Sequence, residues 1–102
     1  MNFTHLTLTE ARKGLLNKEF TAVELTKAHI EKVEAIRPLN AFITETPDLA
    51  LAQAKISDEK IQKNQAGLLE GLPLGIKDLF CTQNIRTTAA SKILSNFIPP
   101  YE

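Results

Sequence analysis

The sequence predicts an α/β fold in which helical segments alternate with β-favouring runs. Two capping boxes, Thr7–Glu10 and Thr21–Glu24, mark helix starts, because each has a hydroxyl at the N-cap and a carboxylate three residues later. Residues 40–45 and 72–80 are apolar and favour strands. Two strands cannot complete a sheet, so we expect these 102 residues to be an incomplete part of a larger fold.

Three segments carry the helical part of this prediction. Leu8, Ala11 and Leu15 recur at helical spacing in the first, and Pro38 stops the second because proline cannot continue a helix. The third begins at Pro47, which suits the first helical position. The predicted helices are residues 8–16, 22–36 and 47–62.

The prediction of strands rests on the alternation of side chains between two faces. In residues 72–80, Leu74 and Ile76 fall on one face of a strand, whereas Gly75 and Lys77 fall on the other. Asp78 would then point away from Lys77 and would not be its close ion-pair partner.

Composition excludes several classes of protein. Twelve basic residues balance twelve acidic ones, which argues against an autonomous site for nucleic acid or an anionic membrane in this segment. A single cysteine favours a reducing compartment, and the N-terminus lacks the pattern of a secretory signal, so a cytoplasmic location is expected. Two separated histidines and one cysteine give no metal-ligand spacing.

Lys77 is the candidate catalytic residue. Most lysines are simply solvated, but this one has apolar neighbours, and burial among them would lower its pKa. Gly75, two residues earlier, would leave space beside the amine for substrate or another backbone.

Other chemical motifs are weaker. Ser57 and Lys60 match S-x-x-K, yet they lie in the most hydrophilic segment, so a solvated helix end is the better interpretation. Cys81 is expected to be a small core residue, and His29 a hydrogen-bonded, partly buried histidine.

The segment Gly71–Asp78, which reads Gly-Leu-Pro-Leu-Gly-Ile-Lys-Asp, resembles the G-x-P-x-x-[IV]-K-D segment of the amidase signature family. A narrower likeness points to the glutamine-dependent tRNA amidotransferases within that family. It is carried by residues 25–36, 39–43, 81–92 and 96–101.

This resemblance implies a mixed-sheet fold that cleaves amides with a Ser–cis-Ser–Lys triad, in which Lys77 matches the lysine. A lysine base must be neutral, which at pH 7 requires its pKa to fall by about 3 units from about 10.4. The Gly/Ser-rich segment that carries both triad serines has no counterpart here, so the chain alone is expected to be inactive. Thr87, Thr88 and Ser91 also match the pattern, without an assigned role.

The resemblance also implies substrates and partners. Glutamine would supply ammonia to the B subunit of a complex that also contains a C subunit. Glu-tRNA(Gln) would be reached only through that complex, and ATP and Mg would belong to the partner, leaving this chain without a cofactor.

Two other interpretations stay open at this stage. One is an interaction module, in which the helices at 8–16 and 22–36 dock to a partner. The other is part of an amidase for small amides with no link to tRNA.

Overall fold

The structure is a computed structural model that describes residues 2–102. Its regular secondary structure in that range consists of helices. The observed helix bounds lie within one residue of the predicted ones. None of the helices in residues 2–102 has the length and apolar character that crossing a membrane requires. The helices are α1 (Leu8–Leu16), α2 (Ala22–Ala35) and α3 (Pro47–Gln62), and single 3-10 turns occupy Phe3–His5 and Arg37–Leu39.

The described chain divides into two compact units. The first contains all three helices, and the second contains only turns and irregular segments. The first unit comprises the residues up to Leu39 together with Thr46–Pro73, and the second comprises Asn40–Glu45 together with Leu74–Glu102.

Both predicted capping boxes begin a helix, and in each one the threonine hydroxyl binds the backbone and the side chain of the glutamate. Thr7 Oγ1 accepts the Glu10 backbone N–H at 3.1 Å, and Thr21 Oγ1 accepts that of Glu24 at the same distance. Each glutamate accepts the threonine O–H, at 3.0 Å and 3.2 Å respectively. Thr7 and Thr21 are therefore confirmed as N-cap residues, and in each case the glutamate orients the threonine hydroxyl.

A second cap on α2 comes from another helix. Asp58, in α3, accepts the backbone N–H of Ala22 at 2.7 Å and that of Val23 at 3.2 Å. Its negative charge faces the positive end of the α2 dipole. This bidentate contact fixes the packing of α3 against the start of α2.

The core of the first unit forms where the helices meet. Phe20 lies over Gly14, where an added Cβ would stand 2.3 Å from the Phe20 ring, so only glycine fits at this position of α1. Phe3 packs edge-to-face on Phe20 with ring centroids 5.0 Å apart. The buried apolar residues are Ala11, Leu15, Phe20, Ala22, Leu25, Ala54 and Ile61.

The two predicted strands, residues 40–45 and 72–80, are not formed in residues 2–102. Within residues 2–102 the only β-type pairing is an isolated antiparallel bridge between Thr82 and Ile85. An extended run gains its stability from a neighbouring strand and a covered face, and neither segment has such a neighbour. The α/β architecture of the prediction is therefore present here only in its helices.

The interhelical cap gives a first prediction. We expect Asp58→Ala to lower the free energy of unfolding by about 1–2 kcal/mol, because two N–H groups at the start of α2 lose their acceptor. Chemical denaturation followed by far-UV circular dichroism measures this. Glu59→Ala, at the exposed neighbouring position of α3, is the control and should change stability little. Equal losses in the two variants would contradict the capping role.

Candidate functional site

The glycine that begins the Gly71–Asp78 motif is held by the helical core. Gly71 has φ +81°, a conformation that side chains other than glycine rarely adopt. A Cβ at this position would lie 3.1 Å from both the Ala22 Cβ and the Leu15 Cδ1. The first motif glycine is therefore explained by packing as well as by backbone conformation.

Glu70, directly before this glycine, is bound by both members of the S-x-x-K pattern. Ser57 Oγ donates to Glu70 Oε2 at 2.6 Å, and Lys60 Nζ lies 3.9 Å from the other carboxylate oxygen. Ser57 is buried, so the predicted solvated helix end is wrong at this residue, although no catalytic dyad forms either. The pKa of Glu70 is lowered, chiefly by the Ser57 hydrogen bond, with smaller contributions from Gly67 N–H and Lys60, while burial opposes the shift.

This lowered pKa predicts an acid-sensitive contribution to stability. Just below the ordinary pKa of 4.5 the unfolded chain binds more protons at Glu70 than the folded chain does. The stabilisation is therefore complete above that pH and is lost as pH falls through the lowered value. Urea unfolding at several pH values should show this loss, and it should be smaller in Ser57→Ala and absent in Glu70→Gln. An unchanged pH slope in both variants would refute the contribution.

Lys77 stands at the first position of a turn and not on a strand. The Phe80 N–H donates to the Lys77 carbonyl at 3.1 Å, which closes the four-residue turn Lys77–Phe80. The Lys77 side chain is exposed, and the flanking Ile76 and Phe80 side chains are 57% and 60% exposed. The burial predicted for Lys77 is absent, because no strand in the described chain covers this segment.

The space predicted beside the Lys77 amine stays a prediction, because the strand that would place Gly75 on the Lys77 side is not formed in the described residues. A Cβ added at Gly75 would meet only the Phe42 ring, at an ordinary contact distance of 3.8 Å. A methyl group would therefore fit at Gly75 without a close contact.

Asp78 binds a turn that lies ten residues later in the chain. Its carboxylate accepts the Thr88 backbone N–H at 2.8 Å, the Thr88 hydroxyl, and the Ala90 N–H at 3.2 Å. These bonds, led by the Thr88 hydroxyl, lower the pKa of Asp78, and Arg86 adds a smaller electrostatic effect. The position of the Asp78 carboxylate is thus set by its contacts with Thr88 and Ala90 and not by strand alternation.

Two threonines that match the family pattern, Thr87 and Thr88, are buried and hydrogen-bonded. Thr88 is 2% exposed and binds Asp78, whereas Thr87 Oγ1 donates to the Ile85 carbonyl at 3.1 Å. The Thr87 N–H donates to the Phe97 carbonyl at 3.0 Å, and Ser91 N–H to that of Thr88 at 2.8 Å. These residues stabilise the irregular segment that follows Lys77.

The remaining candidates have no catalytic arrangement in the described residues. His29 is half-buried, with Nδ1 2.9 Å from the Leu25 carbonyl, which confirms the predicted hydrogen-bonded histidine. Cys81 is a free, half-buried thiol, so the predicted core position is only partly met. Within residues 2–102, no three His, Cys, Asp or Glu side chains are grouped as a metal site.

A family model described as amidase matches residues 24–102, which include the whole Lys77 segment and the Asp78-bound turn. The chain belongs to the amidase family. This membership implies an α/β fold, of which the described residues form helices without strands.

Individual amidase relatives share a name. Three proteins, each named as the A subunit of glutamyl-tRNA(Gln) amidotransferase, come from Rhodopseudomonas palustris strain BisA53, Paramagnetospirillum magneticum and Caulobacter vibrioides. They are 61%, 64% and 60% identical to this chain and cover 99%, 97% and 100% of it. The chain itself spans about a fifth of the length of these relatives (20%, 20% and 21%).

Proposed function

We propose that this chain is the N-terminal portion of the glutamine-hydrolysing A subunit of a glutamyl-tRNA(Gln) amidotransferase. The observation that carries the proposal is identity of 60% or more, over almost the whole chain, to three proteins of that name. In this proposal residues 1–102 begin a single amidase domain. The segments 40–45 and 72–80 become strands when the rest of that domain pairs with them.

Lys77 is the proton acceptor in the proposed reaction. A serine hydroxyl is a weak nucleophile until a base removes its proton. The neutral amine of Lys77 takes that proton through a bridging serine, and the nucleophilic serine attacks the carboxamide carbon of glutamine. Ammonia leaves with a proton returned along the same path, and water then hydrolyses the acyl-enzyme to glutamate.

The exposure of the Lys77 segment supports a larger active domain. A lysine acts as a base only when deprotonated, and an apolar enclosure favours the neutral form. Here Ile76 and Phe80 are more than half exposed, and most of the exposed large apolar side chains belong to the second unit. Exposed apolar surface of this kind is usually buried against other parts of a protein. We propose that residues matching the remaining four-fifths of the relatives' length bury it here.

Partners and location belong to the same proposal. The B and C subunits would complete the complex, with ATP and Mg used by the partner that amidates Glu-tRNA(Gln). This chain would hold no cofactor and no direct nucleic-acid site, in keeping with its balanced charge. Its single cysteine supports a cytoplasmic location.

A segment exchange tests the proposal. Residues 1–102 replace the matching segment of the Rhodopseudomonas palustris relative, and the chimera is purified with that relative's partner subunits. We expect glutamine-dependent formation of Gln-tRNA(Gln) and glutaminase activity. Wild-type relative is the positive control, and an inactive but folded chimera would contradict the proposal.

The isolated chain gives a complementary prediction. We expect residues 1–102 alone to form no glutamyl hydroxamate from glutamine and hydroxylamine above background, because both triad serines lie outside it. Hydroxamate formation that disappears in Lys77→Ala would overturn this expectation. The control is the active chimera, assayed at the same molar concentration.

The exposed apolar side chains also favour a second candidate, an interaction module that works by binding a partner. The two functions separate in the chimera, because an interaction module would support complex formation without depending on Lys77. A third possibility, cleavage of small amides, predicts hydrolysis of acetamide or propionamide by the chimera in preference to glutamine.

A further inference from the structure

Asp78, the residue after the proposed base, accepts hydrogen bonds from the Thr88–Ala90 turn with both carboxylate oxygens and with its backbone carbonyl. Its carboxylate accepts from Thr88 and Ala90, and its backbone carbonyl accepts the Ala89 N–H at 2.7 Å. We propose that Asp78 is a positioning residue that holds the backbone of Lys77 against the Thr88–Ala90 turn. This inference rests on the proposed function of Lys77.

The Thr88–Ala90 turn has the geometry of an anion-binding backbone. Ala89 and Ala90 both have positive φ, 49° and 58°, which is uncommon for residues other than glycine. Backbone N–H groups in turns of this kind can gather around an anion. Here the Thr88 and Ala90 N–H groups bind the Asp78 carboxylate, and the Ala89 N–H between them binds the Asp78 carbonyl. These bonds offset the strain of the two alanines.

The chain is consequently held at two successive carbonyl groups, those of Lys77 and Asp78. The Lys77 carbonyl accepts from Phe80 at 3.1 Å, and the Asp78 carbonyl accepts from Ala89. Both bonds restrain the backbone on the C-terminal side of the Lys77 Cα. Holding the backbone of a catalytic group in this way is a common requirement of active sites, since small displacements reduce rates strongly.

A direct chemical role for Asp78 is disfavoured by the same contacts. Both carboxylate oxygens accept hydrogen bonds from the 88–90 turn, and the Thr88 hydroxyl that donates one of them is 2% exposed. A carboxylate bound in this way stays ionised and is a poor proton donor or acceptor. Its effect on the reaction therefore passes through Lys77.

Substitutions in the active chimera test this role. Asp78→Asn puts an NH2 group where a carboxylate oxygen accepted N–H and O–H donors, and we expect kcat for glutamine hydrolysis to fall by about 100-fold. Thr88→Val keeps the shape and the backbone N–H but removes the hydroxyl, so we expect about a tenfold fall. Thr88→Ser should retain a higher kcat than Thr88→Val. Asp48→Asn, an exposed aspartate in α3, is the matched control.

The pH profile separates positioning from loss of folded protein. Displacement of Lys77 should shift the acidic limb of kcat/KM, where the rate rises as the base loses its proton, whereas partial unfolding only scales the profile down. A Lys77→Ala chimera that remains active would refute the proposed function itself. If Lys77→Ala is inactive while Asp78→Asn keeps both the kcat and the profile of the unsubstituted chimera, the positioning role alone is refuted.

Discussion

Replacing Lys77 by alanine in the full-length chimera is expected to reduce kcat for glutamine hydrolysis on the order of 10⁴-fold. The loss is large because the proposed base acts in forming the nucleophile and in returning a proton to the departing ammonia. Binding of glutamine does not depend on this amine, so KM should change far less than kcat. Steady-state release of glutamate measures both constants.

Two further variants make the Lys77 result specific. Arginine stays protonated at every accessible pH, so Lys77→Arg keeps the positive charge without the base and should be as inactive as alanine. Lys92→Ala removes another exposed lysine from the same unit and should leave activity unchanged. Substantial activity in Lys77→Arg would show that charge, and not proton transfer, is what this position supplies.

Helices could be predicted from the sequence because their signals are local. The hydroxyl of Thr21 binds the Glu24 N–H three residues later, and Pro47 occupies the first turn of α3, so each start depends on neighbours in the chain. Strands depend on distant partners. Residues 72–80 alternate as a strand should, yet the Lys77–Phe80 turn forms because no second strand is present in the described chain to pair with them.

The site divides in the same way between local and distant information. The motif around Lys77 could be found by its resemblance to a family, and Gly75 by its spacing from that lysine. The contacts of Asp78 with Thr88 and of Glu70 with Ser57 could not, because they join residues 10 and 13 positions apart without any regular period. An aspartate followed at a distance by two threonines carries no signal that identifies a bound turn.

Truncation of the buried core is expected to have the largest effect on stability. Leu15 is 2% exposed and lies against the motif glycine Gly71, where an added Cβ would stand 3.1 Å from the Leu15 Cδ1. We expect Leu15→Ala to lower the free energy of unfolding by about 3 kcal/mol, since it removes buried methyl groups and leaves a cavity. A loss of this size is a large fraction of the total stability of about 5–15 kcal/mol that is usual for a domain.

The adjacent residue of the same helix provides the matched control. Leu16 is 46% exposed, so Leu16→Ala removes the same atoms from a position that solvent already reaches, and we expect a loss of about 1 kcal/mol or less. Urea unfolding followed by circular dichroism compares the two variants. Because Leu15 also packs on Gly71, its loss should expose the Gly71 amide to faster hydrogen exchange, whereas Leu16→Ala should not. Equal destabilisation by both substitutions would contradict the assignment of Leu15, and not Leu16, to the buried core.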